Sequence, residues 1–126
     1  MLPLCKIYPA HSCLPKLYFC QANYGTPYMI AHHVLFWLKP ETTEAEKLAF
    51  KDGLESLKDI EVVKHFHAGT PAPIERAVVD TTYTFSLLLL FDDLAAHDTY
   101  QVHPLHKAFL EQFRIFFERV VIYDAH

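Results

Sequence analysis

Two stretches of this chain, IAHHVLFWL from Ile30 to Leu38 and YTFSLLLLF from Tyr83 to Phe91, are apolar on both of their alternating faces. Strand side chains point to opposite sides in turn. Val34, Phe36 and Leu38 therefore share one face while Leu35 and Trp37 take the other, and Phe85, Leu87 and Leu89 oppose Leu88 and Leu90. The β-branched and aromatic content, and the stop at Lys39-Pro40, mark strands rather than helices. A sheet built on these segments must be covered on both sides.

The rest of the chain supplies cover for one side. Thr43 and Glu46 form a capping box ahead of a helix that carries Leu48, Phe50, Leu54 and Leu57 to about Asp59. Ile60 to Ala68 alternates as a strand, closed by Gly69-Thr70-Pro71-Ala72-Pro73, and a loop runs on to about Asp80. Asp92 or Asp93 caps a helix over Leu94 to Val102. A second helical segment runs from Pro104 to about Phe113, and Val120 to Tyr123 form the last strand. The order β-α-β-β-α-β is α+β and ferredoxin-like, with a four-stranded antiparallel sheet. Its helices cover one face only. The other face is more apolar than a soluble monomer exposes, and the same face of a second copy is the economical cover, because closed two-fold dimers are the commonest oligomers. The expected partner is a second copy of the chain, in a homodimer whose paired sheets make a dimeric α+β barrel.

With 126 residues, 52% hydrophobic and 21% charged, the chain has the makings of one globular domain. The formal net charge is −4, with Lys and Arg scattered, so neither nucleic acid nor an anionic membrane is an expected partner. Cys5, Cys13 and Cys20 are odd in number and lack a Cys-x-x-Cys pair, which argues against a disulfide framework or zinc ribbon. Residues 1–28 contain Pro3, Pro9, Pro15 and Pro27, show no strand or helix period, and lack the uninterrupted apolar core of a signal peptide. They read as a mobile tail, or a start-site artefact, ahead of a domain over residues 29–126. A cytoplasmic location is expected. No cofactor motif is present, and no cofactor is expected.

The chemistry concentrates in Tyr100-Gln101-Val102-His103-Pro104-Leu105-His106. Proline suits the first helical position, where its missing N–H would be unpaired in any case, and it pushes the preceding residue out of the α region. His103 then becomes the N-cap and His106 the third helical residue. Near the positive end of a helix dipole an imidazolium is disfavoured, so His106 reads as a neutral general base beside a phenol. The same residues also have a purely structural reading: the histidines cap and buttress the helix, Tyr100 packs with its hydroxyl in water, and His33 is a hydrogen-bonded core histidine. His65 and His67 share a strand face and could approach His33 across the sheet, but the pattern is weak and no metal site is expected.

The opening His33-Val34-Leu35-Phe36-Trp37-Leu38-Lys39-Pro40, Tyr100 with His103-Pro104-Leu105-His106, and the closing Val121-Ile122-Tyr123-Asp124 together resemble the stress-responsive A/B barrel (Dabb) family of the dimeric α+β barrel superfamily. The resemblance runs from Met29 to Asp124. The family holds heat-stable plant stress proteins and a plant polyketide cyclase. For this chain it implies Tyr100 and His106 as an acid/base pair, with His33 and Asp124 in support. In an aldol-type ring closure His106 would remove a proton α to a carbonyl, Tyr100 would hydrogen-bond the developing oxyanion, and Asp124 would fix the His106 tautomer. His103, Phe36 and Leu88 are expected to contact the ligand, a hydrophobic carbonyl-containing small molecule. His32, Trp37, His65 and His67 depart from the family pattern, so the shape of the cavity is not carried over. Two function classes follow: a cyclase or lyase-like enzyme, and a binding or assembly protein of the stress-response type.

Overall fold

The computed structural model describes residues 28–126, and the expected tail before Tyr28 lies outside the described residues. The elements are β1 (Ile30–Leu38), α1 (Glu44–Ser56), β2 (His65–Gly69), β3 (Phe85–Phe91), α2 (Leu94–Val102), α3 (Pro104–Phe113) and β4 (Phe117–Ala125), with 3-10 turns at Leu57–Asp59 and Arg114–Phe116. The strands form one antiparallel sheet in the order β2-β3-β1-β4. This is the ferredoxin-like α+β arrangement that the pattern predicts.

Local chemistry sets the boundaries. Thr43 accepts from the Glu46 N–H, and the Glu46 carboxylate accepts from the Thr43 N–H at 2.8 Å, so both halves of the capping box are made. Phe50, Leu54 and Leu57 are buried, whereas Leu48 is out of phase with them and faces solvent. The second strand starts at His65, five residues later than its alternation suggests. Ile60 is taken instead by a turn in which the Val63 N–H donates to its carbonyl at 3.0 Å, and its side chain closes the core at 1% exposure. β4 is longer than expected, pairing with β1 from Leu38 opposite Phe117 to Ala31 opposite Ala125. Glu118, Arg119 and Asp124 hide that length in the sequence.

The core lies between the helices and one face of the sheet. Phe50 is fully buried, its ring 5.2 Å from Phe36 and 5.3 Å from Phe85. Phe109 and Phe113 of α3 close on the same ring at 5.4 Å each. Burying each such side chain stabilises the fold by about 1.5–3 kcal/mol, with roughly 0.5–1.5 kcal/mol more per well-placed ring pair. α1 approaches α3 closely because Gly53 has no side chain: a Cβ there would run into the Phe113 ring. Among the described residues, no helix lies on the opposite face of the sheet. His67, Leu88, His33 and Tyr123 form one row across its four strands, and Tyr123 is 62% exposed.

Candidate functional site

The break between α2 and α3 builds one wall of the site. His103 is extended, with φ −63° and ψ 139°, and its Nδ1 accepts the Leu105 N–H at 3.2 Å. Its Nε2–H donates to Glu61 at 3.2 Å. Pro104 opens α3, and His106 is its third residue. The last carbonyls of α2 have no partners within their own helix, and one of them is claimed from outside: the His106 Nδ1–H donates to the Gln101 oxygen at 3.1 Å. With Nδ1 protonated by this bond, Nε2 carries the free lone pair.

Tyr100 sits at the end of α2 with 1% exposure. Its ring lies 4.4 Å from that of His106, tilted by 32°, and 5.8 Å from that of His32. Burial pushes the phenol far above its ordinary value, so it remains a hydrogen-bond donor. Burial also holds His106 below the usual imidazole range. The neighbouring His32, His103 and His97 add to that effect, and the Gln101 carbonyl opposes it.

His32 faces the same space from β1 at 3% exposure. Its Nδ1–H donates to Asp124 Oδ1 at 2.6 Å, across the register pair that joins β1 to β4. Burial lowers the His32 pKa, while Asp124, its side chain about half exposed, acts against the shift. These side chains enclose a cavity of about 150 Å³. Its polar wall is His32, Tyr100, Gln101 and His106, and its apolar wall includes Val34, Phe36, Leu87, Phe109 and Leu110.

Three of the residues singled out from sequence, Tyr100, His106 and Phe36, line this cavity. Asp124 stands behind His32 and orients that ring; the tautomer of His106 is set by the Gln101 carbonyl. His103 faces Glu61 and is not part of the lining. His33 and Leu88 lie on the helix-free face, where His33 Nε2 is 2.9 Å from Ser86 Oγ. Strand alternation explains the exchange of the two histidines. His32 has the parity of Val34 and Phe36, and His33 that of Leu35 and Trp37, so the cavity takes the first and leaves the second. That parity was the signal available for His32.

The family profile described as Stress Responsive A/B Barrel Domain (Dabb) matches residues 30–126. Among solved structures, a Dabb family protein of ferredoxin-like fold from Mesorhizobium loti is 30% identical, with a TM-score of 0.64 over 78% of this chain and 95% of that one. A dimeric protein of unknown function from Bacteroides fragilis is 27% identical, with a TM-score of 0.62 over 78% and 95%. The hydroxynitrile lyase of Passiflora edulis shares the fold at 20% identity, with a TM-score of 0.67 over 79% and 93%. A search of the curated proteins gave no match. Among the described residues no helix is long and apolar enough to cross a membrane. From its motif, its sheet order and the span of the match, this chain belongs to the stress-responsive A/B barrel domain family.

Proposed function

We propose that this protein works as a homodimer that binds a small hydrophobic carbonyl compound in the cavity beside Tyr100, with His106 as general base. The carrying observation is the bond from His106 Nδ1–H to the Gln101 carbonyl, which leaves Nε2 as the basic atom at a mostly apolar wall. Burial favours the neutral imidazole and the protonated phenol together. In that state His106 removes a proton α to a carbonyl, or from a hydroxyl, while Tyr100 donates to the oxygen on which charge develops. The apolar walls exclude water and strengthen both interactions. A cavity of about 150 Å³ matches the size that accepts a single aromatic ring, so the buried part of the ligand is ring-sized. Aldol-type cyclisation and the lyase-type cleavage suggested by the hydroxynitrile lyase likeness place the same demand on the site: one base and one oxyanion donor.

The dimer is supported by the helix-free face, where apolar side chains stand beside His33 and Tyr123, and by dimeric neighbours. A second reading, a binding or assembly protein with structural histidines, draws on the same helix ends, since His103 and His106 each complete a bond there. Native mass spectrometry of the wild type beside His106→Ala separates the two. A dimer that carries an apolar ligand, altered or lost in the variant, supports the pocket. An empty dimer in both proteins supports assembly, and a monomeric wild type removes the dimer.

A further inference from the structure

β1, α2 and β4 bring three metal-ligating side chains together beside the cavity, which His32 alone of the three lines. One ligand atom each from His32, His97 and Asp124 lie within 4.8 Å of one another. The rings of His32 and His97 are 5.1 Å apart, edge to face. His97 has no role in the acid/base reading, and its hydrogen bonding is incomplete. Its Nε2 meets the Gln101 side-chain amide at 3.1 Å, but its Nδ1 is buried without a hydrogen-bond partner. The Asp98 carboxylate stands 3.5 Å from that nitrogen. Leaving a buried polar atom unpaired costs about 1–3 kcal/mol, so such atoms in a native fold call for a reason.

We propose that His32, His97 and Asp124 bind one divalent transition-metal ion of the zinc type. Two imidazoles and a carboxylate are a donor set that such ions take, and three protein ligands leave a coordination position for water or a small molecule. Ligands on one ion at bond lengths of about 2.0–2.2 Å sit roughly 3–3.6 Å apart, so the widest separation in the group closes by up to roughly 1–2 Å while the His32–Asp124 pair, now at 2.6 Å, opens to admit it. Asp124 is the side chain with room to adjust, being half exposed on the edge strand β4. Binding replaces the proton shared by His32 and Asp124, which leaves to solvent. Because His32 lines the cavity, the ion would stand at its wall, where it can polarise an oxygen of a bound molecule. The proposal rests on no part of the acid/base reading.

The test is a titration of the full chain, stripped of metal, with Co²⁺, whose visible spectrum reports its ligands, followed by displacement with Zn²⁺. Cys5, Cys13, Cys20 and His11 are competing ligands in the same chain, and thiolate coordination would announce itself by an intense near-ultraviolet band. The expected result is one ion per chain without that band, with His97→Gln and Asp124→Asn each weakening binding at least about tenfold. Circular dichroism checks that each variant is folded, and if one is not, the other decides. Absence of saturable one-to-one binding, a thiolate band, or unchanged affinity in a folded variant would overturn the site.

Discussion

His106 donates its Nδ1–H to the carbonyl oxygen of Gln101 across 3.1 Å, and through that bond the first turn of α3 holds the last turn of α2. One contact thus does two things: it satisfies a helix-end carbonyl and aims the basic nitrogen. His106→Gln keeps an N–H donor but has no base. Its stability should change by no more than about 1 kcal/mol, while turnover of a carbonyl substrate falls at least about 100-fold. Thermal unfolding and steady-state kinetics on the same preparation check both. A variant that loses stability while turnover persists would assign His106 a structural role.

Tyr100→Phe isolates the phenol. The ring that packs on Phe91 and His106 is retained, and only the donor goes. An oxyanion donor of this kind contributes about 10²–10³ in kcat. The expected kinetic signature is a fall in kcat with little change in KM, and an unaltered kcat would remove Tyr100 from the chemistry.

The pH dependence of stability follows from His32 and His106, both held below the usual imidazole value chiefly by burial. Around His106 stand His32 of β1, His97 of α2 and His103; around His32 stand Asp124 of β4, His97 and His33. Between the lowered folded values and the unfolded value of about 6.5, the unfolded chain binds more protons, so stability rises with pH through that window. Their full contribution is present above the unfolded value and is lost progressively as pH falls below it. Melting temperatures measured with chelator present should be flat near neutrality and drop on acidification. His106→Gln should flatten part of that drop, and an identical slope would contradict the assignment.

On the helix-free face, Leu88→Glu should leave the fold intact, because that side chain points away from the core. Burying an unpaired carboxylate in a two-fold interface is unfavourable, and the symmetry applies it twice. Sedimentation analysis should show a dimer for the wild type and a monomer for this variant, with unchanged circular dichroism. A persistent dimer would place the contact elsewhere.

Gly53→Ala tests the packing of α1 on α3. The added Cβ meets the Phe113 ring, so the gain in helix propensity is outweighed by overpacking of about 1–3 kcal/mol. Chemical denaturation gives the sign directly, and a stabilised variant would mean that the ring has room to move.

Much of this architecture was readable from residue pattern because local and tertiary preferences agree: the Thr43–Glu46 box, the Asp93 cap and the break at Pro104 each mark a boundary that the structure keeps. The second strand was less legible, since Ile60 to Lys64 alternates like a strand but is recruited by a turn that turns Ile60 into the core. Within the site, Tyr100 and His106 announce themselves by the proline between them. His32, Gln101 and His97 do not. Their roles depend on which face of β1 is roofed by helices and on a bond between two separate helices, and neither is encoded by nearest neighbours along the chain.

The alternation of β1 has a further consequence. Its even-numbered residues belong to the cavity and core, and its odd-numbered residues to the opposite face of the sheet. Two different sets of surroundings are therefore written on interleaved letters of one strand. An inserted or deleted residue in Ala31 to Phe36 would trade His32 for His33 and exchange the two vocabularies at once. The register shift against β4 falls between Trp37 and Leu38, beyond the cavity-facing His32, Val34 and Phe36, where the interleaving is spared.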